Sequence, residues 1–187
     1  MADFHDGFTG RGHIELILGP MFSYKTTELI RRAHVLQRAK KRCLFIKPQI
    51  DNRDSTTHIV THDKMREKAM VVPKLLDIPE ASWKEYHVLA IDEGQFFEDI
   101  VEFADMVANQ GKTVLISGCD GTFQRKPFHR ILDVIPIAEK VTKQHACCVD
   151  CGTEASFTLR ITQEKEVDLI GDSDKYQPMC RACFVKY

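Results

Sequence analysis

Three features of the sequence predict an α/β protein, a parallel sheet flanked by helices with a small second lobe. Short apolar runs alternate with helix-patterned stretches, two of those runs break into loops rich in polar chemistry, and two Cys-x-x-Cys pairs sit in the last quarter of the chain. Residues 13–18 (HIELIL) form the first apolar run, which breaks at Gly19-Pro20 and so reads as a strand ending in a turn. Residues 25–38 contain no Gly or Pro, and Leu29, Ala33 and Leu36 recur at helical spacing with Arg31, Arg32 and Arg38 on the other side. Residues 43–46 (CLFI), 87–91 (HVLAI) and 113–117 (TVLIS) are further buried-strand candidates, and 99–109 reads as a helix stopped by Gly111. The polar, aperiodic segment 49–68 reads as a loop.

The boundary of the second lobe falls where the character changes after Lys143, giving a lobe of residues 1–143 and one of 144–187. The second carries β-prone pieces at 156–159 and 166–170 but too little apolar material to hold a core alone. Across 187 residues, 26 basic against 27 acidic side chains leave a net charge of −1, which argues against a nucleic-acid or membrane-surface partner. The basic cluster Arg38, Lys40, Lys41 and Arg42 lacks interleaved aromatics and reads as a solvated helix end. No run is long and apolar enough to span a bilayer, and the polar first residues do not resemble a secretory signal; a cytoplasmic location is expected.

Gly19, Pro20, Met21, Phe22, Ser23, Tyr24, Lys25 and Thr26 lie between the first strand and the first helix, where a phosphate-binding loop belongs. Backbone N–H groups at a helix N-terminus cradle phosphate oxygens, Lys25 reaches the outer phosphates and the Thr26 hydroxyl suits Mg²⁺. Such a loop makes the sheet P-loop NTPase-like. Tyr24 occupies the place of the pattern's second Gly, which leaves open a turn that only imitates the motif. Asp92 and Glu93 directly follow the run at 87–91, at the carboxyl edge of the sheet. Phosphoryl transfer needs one acid for the metal, assigned to Asp92, and one for the proton of the attacking hydroxyl, assigned to Glu93; capping of the next helix is the competing role.

Seven cysteines are an odd number, and with no export signal they read as reduced thiols. Cys148-x-x-Cys151 and Cys180-x-x-Cys183 have the spacing of a four-thiolate structural Zn²⁺ site, which supplies the staple that the second lobe lacks. A redox dithiol or an iron–sulfur cluster is the alternative. Cys147 is a bystander, and Cys43 and Cys119 read as small buried hydrophobes.

Residues 19–32 (GPMFSYKTTELIRR), 92–97 (DEGQFF) and 120–128 (DGTFQRKPF), with the paired Cys-x-x-Cys knuckles, resemble the zinc-containing (type II) thymidine kinase family nearly end to end. The resemblance implies transfer of the ATP γ-phosphoryl to the 5′-hydroxyl of thymidine, with deoxyuridine also accepted, yielding dTMP for DNA-precursor salvage. It adds Asp51, Asn52 and Arg53 near the phosphates, Gln95 at the nucleotide edge, and Met21, Phe96, Cys119 and Phe123 around thymine. The region 158–176 matches the family's flexible lasso, with Thr158 at its start. Val167, Asp168, Leu169, Ile170 and Gly171 are to present backbone groups to the nucleoside, and Tyr176 is to meet the sugar. A homotetramer and feedback by dTTP are likewise implied. Family members from animals carry a longer regulatory tail, whereas this sequence ends at Tyr187. Tyr24 departs from the family's Gly and gives a second reading, a nucleoside-binding homologue impaired in catalysis; a zinc-ribbon NTPase acting on nucleic acid is a third.

Overall fold

The computed structural model describes residues 12–52, 55, 57–61 and 65–187. The chain runs β1 (His13–Gly19), α1 (Lys25–Arg38), β2 (Cys43–Pro48), β3 (His58–Val60), β4 (Arg66–Val72), α2 (Glu80–Trp83), β5 (Val88–Ile91), α3 (Ile100–Asn109), β6 (Thr113–Cys119) and β7 (Lys140–Lys143). There follow β8 (Ala146–Cys147), β9 (Glu154–Ala155), β10 (Phe157–Arg160), β11 (Tyr176–Met179) and α4 (Arg181–Phe184). The main sheet has the order β3-β4-β2-β5-β6-β1-β7, parallel throughout except for β3, which pairs antiparallel to β4.

The continuous apolar runs are explained by burial on both sheet faces. Side chains alternate along a strand, so Ile17, Val88, Ala90 and Leu115 meet Leu29, Ile30, Ala33 and Leu36 of α1. Their neighbours Leu16, Leu18, Leu89, Ile91, Val114 and Ile116 meet Ile100, Phe103, Ala104 and Val107 of α3 on the other side, with Trp83 edge-on to Phe103 at 6.4 Å. Each fully buried Leu or Ile stabilises the fold by about 1.5–3 kcal/mol, so the two faces together anchor the strand ends that carry the polar chemistry. α1 closes through N–H groups of Lys40 and Lys41 onto the carbonyls of Gln37 and Leu36, with Lys40 left-handed at φ 61°.

Two expectations are corrected. The segment 49–68 is no simple loop: it contains β3 and the first residues of β4, and β4 lies in the main sheet beside β2. Its burial is only partial, because one neighbour is the short edge strand β3, so the apolar signature of a central strand is missing. Residues 166–170 are β-prone but form no strand; they lie in the connection between β10 and β11.

β10 and β11 pair antiparallel, and so do β8 and β9. Around them Cys148, Ala155, Leu159, Met179 and Cys183 form a separate small core. The Arg125 guanidinium bridges back to this part, lying 4.7 Å from the Phe184 ring centroid and 5.7 Å from that of Phe157.

Candidate active site

One cavity opens at the carboxyl edge of the parallel sheet, between the β1–α1 loop, the ends of β5 and β6, and the connection 161–175, which forms its outer wall as a strap. The β1–α1 loop curls through two left-handed residues, Phe22 at φ 64° and Tyr24 at φ 59°. A non-glycine residue there costs on the order of 1 kcal/mol, so the backbone follows the course the motif requires despite the side chain. The Tyr24 side chain lines the mouth of the cavity and is 57% exposed, turned largely to solvent. Ser23 Oγ and Lys25 Nζ both donate to the Pro20 carbonyl, at 2.8 and 2.6 Å. Met21 N–H donates to Thr158 Oγ1 at 3.0 Å, which ties this loop to β10.

Both carboxylates stand where the sequence puts them, at the end of β5. Asp92 is buried, and its Oδ1 accepts hydrogen bonds from Ser117 Oγ at 2.6 Å and Thr26 Oγ1 at 3.0 Å. Burial, and then the neighbouring Glu93 charge, push its pKa up to about 6. Glu93 is left-handed at φ 51° and heads the 3₁₀ turn Gly94–Phe96 with no side-chain capping bond, so capping does not account for it. The amide of Gln95 locks it: Nε2 donates to Glu93 Oε2 at 2.6 Å while Oε1 accepts from Cys119 N–H at 3.1 Å. This clamp needs Gly118, since a Cβ there would stand 2.5 Å from Gln95 Oε1 and 2.4 Å from Ile131 Cδ1.

The cavity also gathers Met21, Phe22, Phe96, Cys119, Phe123, Thr158, Val167, Leu169, Ile170, Gly171 and Tyr176. Phe96 meets Phe128 edge-on at 5.6 Å, which fixes an aromatic wall. Asp168 is not among the lining residues; its carboxylate is turned to His129, 2.7 Å away. Gly19, Pro20 and Asn52 do not line the cavity, Asn52 is exposed, and Arg53 lies outside the described residues. Asp51 is buried and pairs with Lys47 at 3.1 Å.

Three lining or supporting residues escape a reading of the sequence. Lys47 is buried and reaches Asp51 and the carbonyls of Ser55 and His58, at 3.2 and 3.4 Å for the latter two. Ser117 is fully buried against Asp92, and its one trace in the sequence is a hydroxyl at the end of an apolar run. Arg160 is buried at the end of β10 beneath the strap and gives no sequence signal, because its partners are backbone carbonyls, the Tyr176 hydroxyl and the Phe123 ring.

Away from the cavity, Cys148, Cys151, Cys180 and Cys183 bring their sulfurs within 4.8 Å of one another. Four thiolates at about 2.3 Å from one ion stand roughly 3.8 Å apart, so the cluster fits a tetrahedral structural metal. Cys183 N–H donates to Cys180 Sγ at 3.4 Å, and this bond, followed by the Thr153 hydroxyl, pulls the Cys180 thiol down to about 6. The hydrogen bond it shares with Cys151, and then burial, hold the Cys183 thiol up at about 12; a cation bound by the four sulfurs favours their thiolate forms. Cys147 stays outside the cluster, bonded to the Gly152 carbonyl. Cys43 is half-buried, and burial pushes its thiol up to about 12.

The family model for thymidine kinase matches residues 12–184. The thymidine kinases of vaccinia virus (strain Ankara), monkeypox virus and variola virus are each 51% identical to this chain over 174 residues. Each alignment covers 93% of this chain and 97% of the viral protein.

Proposed function

The chain belongs to the thymidine kinase family and phosphorylates thymidine with ATP, and we propose that it does so in the cavity at the carboxyl edge of the sheet, with Glu93 as general base. The observation that carries this assignment is the Gln95 clamp. It fixes one carboxylate oxygen of a left-handed residue beside the cavity, a strained and over-determined arrangement of the kind found where a group must be aimed.

ATP enters over the β1–α1 loop. Lys25, Ser23 and the N–H groups at the start of α1 face its phosphates, and Lys25 exchanges the Pro20 carbonyl for phosphate oxygen. The hard oxygens of Thr26 and Asp92 suit Mg²⁺, which when bound neutralises charge on the β- and γ-phosphates. Asp51, Asn52 and Arg53 complete the phosphate end in this reading. Thymidine lies between Phe96, Phe123, Cys119 and Met21 under the strap, with Thr158 and Tyr176 at the sugar side and the 167–171 backbone along the base. Glu93 takes the proton of the 5′-hydroxyl as it attacks in line. Deoxyuridine lacks only the methyl that the apolar wall contacts, which supports its acceptance at a modest loss.

The division at residues 143 and 144 is supported by the separate core around the cysteines, and Zn²⁺ by the four-sulfur geometry. Among the described residues no helix is long and apolar enough to cross a membrane. Family likeness alone supports a cytoplasmic location, a homotetramer and feedback by dTTP. The test is steady-state phosphorylation of radiolabelled thymidine with Mg²⁺-ATP. A Glu93→Gln protein that keeps full kcat overturns the assignment of the base.

A further inference from the structure

The strap of residues 161–175 is a connection of irregular backbone hung on a four-residue ladder. Connections of this kind carry little of their own to select one shape, and ordering them costs conformational entropy. This strap is built around a side chain. The Arg160 guanidinium donates from Nη1 to the carbonyls of Glu164 at 2.9 Å and Glu166 at 2.6 Å. From Nη2 it donates to the Val167 carbonyl at 3.4 Å and the Tyr176 hydroxyl at 2.5 Å, and that hydroxyl donates in turn to Leu169 O at 2.7 Å. One face of the guanidinium lies 3.8 Å from the Phe123 ring centroid, and Tyr176 stands at 5.1 Å.

Arg160 is 8% exposed, and among the described residues no carboxylate lies within ion-pairing distance of it. Burying a guanidinium without an acid is a costly way to stabilise a fold. Its charge is spread instead over carbonyl dipoles and two aromatic faces, all belonging to the strap or to the cavity wall. The planar fork reaches several carbonyls at fixed angles, which a single ammonium cannot do.

We propose that Arg160 is the positioning residue for nucleoside recognition: it gathers the strap into its covering shape and so aims the 167–171 backbone at the base. The inference rests on the reading that the strap covers the nucleoside. Arg160 acts through the strap and through Phe123, and so lowers the ordering cost that each closure of the strap would otherwise carry.

The test compares wild type with Arg160→Met, which keeps the stem, and Arg160→Lys, which keeps a cation over Phe123 but loses the fork. The readouts are the thymidine and ATP Michaelis constants, kcat, zinc content, and the rate of tryptic cleavage after Lys165 within the strap. For Arg160→Met the thymidine KM rises about tenfold or more, with ATP KM and kcat within about threefold, since a uniform binding interaction is lost. Arg160→Lys falls between, cleavage after Lys165 accelerates in both, and zinc content stays at the wild-type level. A merely structural arginine would lower zinc content and kcat together and leave the thymidine KM unmoved. If Arg160→Met fails to fold, Arg160→Lys decides alone: unchanged thymidine KM with unchanged cleavage overturns the proposal. A wild type that thymidine does not protect from cleavage after Lys165 overturns the strap reading and the proposal with it; protection in wild type and equally in both variants overturns the proposal only.

Discussion

The two ends of the cavity are held by opposite means. At the end beside the β1–α1 loop, side chains on β6, α1 and the turn after β5 grip carboxylates: Ser117 and Thr26 hold Asp92, and Gln95 holds Glu93 against the β6 backbone. At the end under the strap, a side chain grips irregular backbone, and the strap hangs from the β10–β11 ladder, whose small core includes Cys148 and Cys183. The first end inherits the stiffness of a sheet buried on both faces. The second is only as firm as Arg160 and the cysteine cluster make it, which suits the admission and release of a nucleoside that the proposed function asks of it.

The contrast predicts that damage stays local. The largest effect is expected at Glu93→Gln, which lowers kcat by about 10²–10⁴ and leaves thymidine affinity within a few-fold, measured by steady-state kinetics and equilibrium binding. Next, stripping the metal with a chelator, or substituting Cys183→Ser, abolishes thymidine binding while a non-hydrolysable ATP analogue still binds, as calorimetry would read. Loss of both ligands together would break the contrast. Ser117→Ala comes third: removal of a bond to a buried charge lowers kcat by about tenfold, with thymidine KM unaltered.

A smaller effect belongs to Glu28, whose carboxyl the Arg31 guanidinium, and then Arg32, hold down at about 2. Its folded pKa lies below the ordinary 4.5, so its contribution to stability is present above about pH 4.5 and disappears as pH falls toward 2. Glu28→Gln should therefore melt below wild type at pH 7, with the gap closing across that window. The smallest effect is expected for Tyr24→Gly. Relief of the left-handed strain, about 1 kcal/mol, is nearly offset by the greater freedom of glycine in the unfolded chain, so Tm moves by roughly 2 °C at most and kcat stays within about threefold. Recovery of a large kcat by this substitution would mean that Tyr24 obstructs ATP.

How much of this was legible in the sequence follows the same divide. β1, β5 and β6 announce themselves because strands buried on both faces are apolar throughout, and the loop before α1 and the acids after β5 are local motifs. The cysteine knuckles are legible because metal ligation fixes both residue type and spacing. β4 and β7 were not, since strands with partly exposed faces, such as REKAMVV and KVTK, look like loop. Residues 166–170 alternate like a strand, yet no strand pairs with them, and carbonyls among them go to Arg160, Tyr176 and Lys175. Gln95, which the resemblance puts at the nucleotide edge, lines the cavity, and its bond to Glu93 leaves no trace in the sequence; Ser117 and Arg160 acquire their roles from partners distant in the chain or from backbone, which leave no pattern.

The bond from Met21 N–H to Thr158 Oγ1 has a consequence for the order of events. Met21 lies in the β1–α1 loop, to which the proposed function assigns ATP, and Thr158 lies two residues before Arg160 on the same short strand. Any shift of that loop would reach β10 through this bond, and any shift of β10 would return to the loop. With the two ligands bound as proposed, this bond would give their binding one shared free energy: whatever factor ATP applied to the affinity for thymidine, thymidine would apply to the affinity for ATP.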